Sequence, residues 1–160
     1  MTMNNPSAEA FRLLKARGEK VSFAESLTGG LIAATFISNS GASAVIDESY
    51  VTYASASKIR LLGVSPETVE TVGVVSAKCA AEMAAGVRRV SGADWGVSAT
   101  GLAGPDGGTD ELPVGTVFIG VSGKNGASAH ECHFAGERAD VRTQAVQAAF
   151  RLLVEEMTKE

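Results

Sequence analysis

The sequence has 160 residues, 45% of them hydrophobic and 20% charged, with a formal net charge of −4. That length supports one domain with a real core, spanning residues 1–160, and the acidic balance excludes a long basic stripe for nucleic acid, which needs clustered Lys and Arg. No run approaches the ~18 to 20 apolar residues of a membrane span, and the N-terminus lacks the uninterrupted apolar segment of a signal peptide. Cys79 and Cys132 form no CxxC pair, so free thiols in a reducing, cytoplasmic setting are expected.

In chain order, residues 7–17 read as a helix with Ser7 as its cap and Gly18 as its stop. Lys20–Ala24 reads as a short strand. Gly29–Ser38 reads as a helix capped by Thr28. Ile46–Ala54, rich in β-branched and aromatic residues, reads as a second strand. Ser55–Leu62 is a short helix closed by Gly63, and Pro66 opens another at its first turn. Ser76–Val90 is an Ala-rich helix. Trp95–Thr100, Val114–Val121 and Ala127–Phe134 are three further strands, the last two joined in a hairpin by Gly123–Gly126. Residues 137–157 close the chain as a long helix with one broad apolar face. Helices between the early strands imply crossovers, and the late hairpin implies one antiparallel strand. The expected fold is a three-layer α/β/α sandwich with a mixed, mostly parallel sheet of about five strands.

Two glycine-rich turns, AESLTGG (Ala24–Gly30) and ATGLAGPDGG (Ala99–Gly108), follow apolar runs and point to a pocket at the rim of the sheet. In the first, a phosphate could rest on Thr28, Gly29 and Gly30 at a helix start; a plain strand-to-helix turn fits equally. The second resembles a dinucleotide fingerprint but leads into a strand where that fingerprint must open a helix. It reads instead as a ligand-facing or merely flexible surface loop.

Ser43, Tyr53 and Lys58 form a candidate catalytic set. A serine hydroxyl attacks only when its proton is removed, a desolvated lysine can remove it, and a tyrosine can relay it. Spacing alone leaves them as ordinary polar residues among many serines. Ser55-Ala56-Ser57-Lys58 has the S-x-x-K form of penicillin-recognising enzymes. The companion motifs of that family are absent, yet Ser55 remains a rival nucleophile. Tyr53 and Lys58 have the wrong separation for a short-chain reductase. His130-Glu131-Cys132-His133 holds ligand-type atoms, split between two faces of a strand, with no second ligand pair. Arg88 and Arg89 read as a solvated helix end. Arg138 and Arg142 lie one helical turn apart, and either a phosphate contact or a solvated face suits them.

Taken in order, AESLTGG, Gly41-Ala42-Ser43, VTYASASK, GVVS, GLAGPDGG, PVGTV and FAGER resemble the CinA C-terminal domain family, from about Val21 to the final helix. That family includes nicotinamide mononucleotide amidases. The resemblance implies a stand-alone form without the extra N-terminal domain of longer CinA proteins. It implies hydrolysis of the nicotinamide carboxamide to nicotinate mononucleotide and ammonia, with no metal or cofactor and a small-molecule nucleotide as substrate. It places catalysis on Ser43, Tyr53 and Lys58, with backbone N–H groups near Ser43 for the oxyanion. Substrate contacts are expected from Ser26, Thr28, Gly29, Gly30, Thr100, Gly101, Gly104, Pro105, Asp106, Gly108 and Arg138. Leu27, Ser55 and Ser57 depart from residues common in the family at those positions. A non-catalytic nucleotide-binding module serving a competence or DNA-damage partner is the alternative. Ala-rich faces also suit a homo-oligomer.

Overall fold

Strand β1 (Val21–Glu25) is buried along its whole length and lies between two parallel neighbours. The computed structural model describes residues 4–160. The remaining elements are α1 (Pro6–Arg17), α2 (Leu31–Ile37), β2 (Tyr50–Val51), α3 (Ser55–Leu62), α4 (Pro66–Thr71), α5 (Ala77–Ser91), β3 (Trp95–Gly101), β4 (Thr116–Gly123), β5 (Gly126–His133) and α6 (Arg138–Thr158). A single 3-10 turn, Ala42–Ala44, precedes β2. The sheet order is β2-β1-β3-β4-β5. Three strands run parallel, β4 runs against them, and β5 turns back from β4 through Lys124 and Asn125. The expected mixed sheet with one reversed strand is thus present.

Alternation along the strands divides the core into two layers. Phe23, Val97 and Ile119 face α1, α2 and α6, where Phe36, Phe150 and Leu153 complete one cluster. Phe23 meets Phe36 and Phe150 edge-on, with ring centroids 5.4 and 5.9 Å apart, the arrangement aromatic quadrupoles favour. On the other face Ala24 packs with Leu62 of α3 and with Cys79, Met83 and Val87 of α5. Helix α5 lies directly on the sheet because Gly96 and Gly120 carry no side chain there. A Cβ at either would collide with the carbonyl of Ala84 or Ala80. Among the described residues, no helix is long and apolar enough to cross a membrane.

Three local expectations are corrected. Helix α1 is capped by Asn5, whose side chain accepts from the Ala8 N–H, with Pro6 in its first turn. Ser7 is buried and instead accepts from the Asn39 amide. Only Tyr50–Val51 of the expected Ile46–Ala54 strand pairs as strand. Residues 45–49 do run beside β1, but part of that pairing is made by side chains. The Ser22 hydroxyl donates to the Glu48 carbonyl, and the Ser49 hydroxyl accepts from the Phe23 N–H. Helix α2 begins at Leu31, and Thr28 does not cap it: its hydroxyl is buried without a partner.

Candidate active site

Serine 26 stands where β1 ends and the AESLTGG turn begins. Its N–H is held by the Ala99 carbonyl of β3, which fixes the turn to the sheet. Glu25, just before it, is fully buried. Its two carboxylate oxygens accept from the N–H groups of Ile32 (2.8 Å) and Ala33 (3.0 Å). The start of α2 has unpaired donors and a partial positive charge, and this internal carboxylate occupies it. The N–H groups of Ile32 and Ala33 at the helix start are thus already engaged from within. Gly29 N–H also turns back to the Ser26 carbonyl, and Thr28 is inaccessible.

Lys58 lies in α3 and is 1% exposed. Its Nζ lies 2.6 Å from the Thr52 carbonyl, 3.2 Å from the Tyr53 carbonyl and 3.0 Å from Ser26 Oγ. Among the described residues it forms no ion pair. A neutral amine has two N–H donors and one lone pair. Nζ donates to both carbonyls and to Ser26 Oγ; loss of one proton leaves two donors for the carbonyls and turns a lone pair toward the Ser26 hydroxyl. Burial pushes the Lys58 pKa down from the ordinary lysine value. The Cys79 sulfur opposes that shift only as a thiolate, and burial raises its own pKa to about 11. At neutral pH Cys79 is a thiol.

A cavity of about 310 Å³ opens over this pair. Ser26, Tyr53, Lys58, Thr100, Gly101, Gly104, Asp106 and Arg138 all line it, together with Val74 and Val75 of the GVVS segment. The Thr100 hydroxyl donates to the Val74 carbonyl and ties that segment to β3. A second cavity, about 720 Å³, shares Ala103 and Arg138 with the first and adds Pro105, Val114 and Arg142. Gly108 lines neither; it packs against Val114. Arg138 Nη1 donates to the Gly104 carbonyl at 2.8 Å, and Arg142 donates to the carbonyls of Leu27 and Thr28.

The structure does not bring Ser43 to Lys58 within the chain. The Val45 carbonyl accepts from Val21 N–H at the start of β1, so Ser43 lies at the end of the strand opposite Ser26. Four residue steps separate the two ends, about 13 Å at a strand rise of about 3.3 Å. Ser43 lines a different cavity with Asn39, Asp47 and Ser49. Ser55 opens α3 and does not line the Lys58 cavity. Tyr53 is 65% exposed; it lines the cavity and reaches Lys58 through its carbonyl. His130 lies 3.5 Å from Glu156, and His133 lies 3.5 Å from Glu131. Sequence reasoning missed the Ser26–Lys58 contact and the role of Glu25. The available signal for the latter was an acidic residue at the end of an apolar strand, directly before a turn into a helix.

A family model described as the CinA C-terminal domain matches residues 4–157. A nicotinamide-nucleotide amidohydrolase PncC of Enterobacter agglomerans is 46% identical over 154 residues, covering 96% of this chain and 94% of that protein. A CinA-like protein of Anaeromyxobacter sp. (strain K) is 49% identical over 140 residues, which is 88% of this chain and 34% of that protein. The chain thus spans about a third of the length of several relatives it matches. Among solved structures, the competence damage-inducible protein A of Klebsiella pneumoniae aligns with a TM-score of 0.92 at 35% identity, over 97% of this chain and 98% of that one.

Proposed function

The chain belongs to the CinA C-terminal domain family, and from that premise we propose that it is a nicotinamide-nucleotide amidohydrolase, releasing ammonia from nicotinamide mononucleotide by a serine–lysine mechanism. The likeness to the Enterobacter agglomerans protein supports the activity. The observation that carries the mechanism is the buried Lys58 amine, without an acidic partner, 3.0 Å from Ser26 Oγ. This moves the nucleophile from Ser43 to Ser26.

Neutral Lys58 takes the proton of Ser26 as Oγ attacks the carboxamide carbon. The resulting lysine ammonium returns that proton to the departing nitrogen, and ammonia leaves. The product is an ester between Ser26 and the nicotinoyl group. Lys58, neutral again, takes a proton from water as the water oxygen attacks that ester. The proton passes back to Ser26 Oγ, and nicotinate mononucleotide is released. Throughout, the carbonyls of Thr52 and Tyr53 hold the amine in place. The cationic pyridinium ring draws electrons from the carboxamide and assists attack. With the carboxamide over Ser26, the ribose lies along Thr100–Gly104, and the phosphate meets Arg138 and Arg142 in the second cavity.

The test is ammonia release from nicotinamide mononucleotide by the purified chain. Turnover that depends on Lys58 supports the reading. Tight nucleotide binding with no ammonia released would replace it with the non-catalytic binding module.

A further inference from the structure

We propose that Arg142 is a positioning residue that couples anion binding in the second cavity to the geometry of the Ser26 turn; this rests on the amidohydrolase reading above. Arg142 reaches from α6 to two carbonyls directly after Ser26. Nε lies 2.8 Å from the Leu27 oxygen and Nη2 lies 3.2 Å from the Thr28 oxygen. These contacts use one edge of a rigid, planar guanidinium and two of its five N–H donors. The other donors remain for the second cavity, which Arg142 lines.

Arg138, one helical turn earlier, makes the equivalent tie to the other glycine-rich loop through the Gly104 carbonyl. Each loop that builds the site is thus tethered to α6 by its own arginine. Two cations at this spacing repel each other. Neither is ion-paired with a carboxylate among the described residues. Glu137 also lines the cavity, at the N-cap of α6, where its N–H donates to the Asp140 carboxylate. An anion bound between the two arginines relieves their repulsion and fixes both guanidiniums, and through Arg142 it fixes the carbonyls that follow the nucleophile. The phosphate of the substrate then contributes to the chemical step, not only to binding.

The experiment compares nicotinamide mononucleotide with nicotinamide riboside, which lacks the phosphate, in steady-state ammonia release. Inorganic phosphate is the probe. With wild-type protein, added phosphate should raise kcat for the riboside by a factor within the ~5- to 150-fold range typical of coupled sites. It should inhibit mononucleotide turnover by competition. Arg142→Ala should lower kcat for the mononucleotide by a similar factor and abolish the phosphate effect on the riboside, and guanidinium ion should restore part of both. The wild-type experiment stands even if Arg142→Ala fails to fold. Riboside turnover unmoved by phosphate, or an Arg142→Ala variant altered only in KM, would overturn the coupling while leaving the amidohydrolase intact. A wild-type protein that releases no ammonia from the mononucleotide overturns both.

Discussion

Replacing Ser26 and Ser43 separately by alanine divides the two serine assignments cleanly. Proton transfer to a general base needs heavy atoms within about 2.6–3.2 Å, directly or through one water. Ser26 Oγ meets that limit at 3.0 Å from Lys58 Nζ. Ser43 sits beyond the far end of β1, about 13 Å away along the strand, and no side-chain rotation spans such a gap. Loss of the nucleophile should therefore lower kcat for Ser26→Ala by about 10³-fold or more. Ser43 is exposed, and its truncation should change the rate by no more than about 2-fold, as for surface substitutions generally. Ser26→Ala also removes one hydrogen bond, about 1 kcal/mol, or about 2–4 °C in Tm for a domain of this size. At 25 °C both variants should be folded, so the rate difference reports chemistry. The assay is ammonia release under saturating nicotinamide mononucleotide, with Tm measured on the same preparations. A Ser43→Ala variant that is dead while Ser26→Ala turns over normally would refute the assignment. It would also require another copy of the chain to supply Ser43.

The lysine base predicts a rate that rises with pH through a pKa below the ordinary lysine value, because burial disfavours the ammonium; a flat profile from mildly acidic to alkaline pH contradicts it. The linked stability has a definite sign. The unfolded chain binds more protons at Lys58 than the folded one, so its contribution to stability rises as pH increases between the folded and unfolded pKa values. Lys58→Met should remove that rise in a pH series of thermal melts, and an unchanged slope would count against it. Glu25→Ala leaves one buried and one part-buried N–H group of α2 without their charged acceptor. At about 3–5 kcal/mol in all, this should lower Tm by about 6–20 °C, and a shift under about 2 °C would show that the clamp contributes little. Gly120→Ala drives a methyl into the Ala80 carbonyl and should cost about 1–3 kcal/mol by overpacking, measured by urea unfolding.

Long periodic segments were readable because local pattern and tertiary role agree. Helix α6, the β4–β5 hairpin and the Gly63 stop of α3 all lie where composition places them. The Ile46–Ala54 segment misled because β-propensity describes side chains suited to a pleated surface, while Ser22 and Ser49 replaced part of the backbone ladder there. The Ser26–Lys58 contact was illegible for a different reason. Tyr53 and Lys58 are close in sequence and meet only through the Tyr53 carbonyl, whereas Lys58 and Ser26 are 32 residues apart. Their contact depends on the parallel pairing of β1 with β2, and that register is not written in residue spacing. Arg138 lines the cavity, and the direction of its neighbour Arg142 toward the first loop needed the packing of α6.

The fate of α2's N-terminus explains why the arginines are needed at all. A strand-to-helix turn rich in glycine suggests a cradle of N–H groups around a phosphate. Here Glu25 fills that place, so an incoming phosphate would meet a buried carboxylate of the same sign behind the turn. The glycines then serve another purpose. Gly29 (φ +56°) and Gly30 (φ +104°) occupy left-handed conformations that allow the chain to reverse while the Leu27 and Thr28 carbonyls meet α6. Gly104 likewise offers its carbonyl to Arg138. Both loops present acceptors to α6, and positive charge enters the site on guanidinium groups instead of on backbone dipoles. This arrangement separates the two demands of the reaction. On the proposed reading charge recognition falls to Arg138 and Arg142, and Lys58 has no ion pair among the described residues that would hold it protonated.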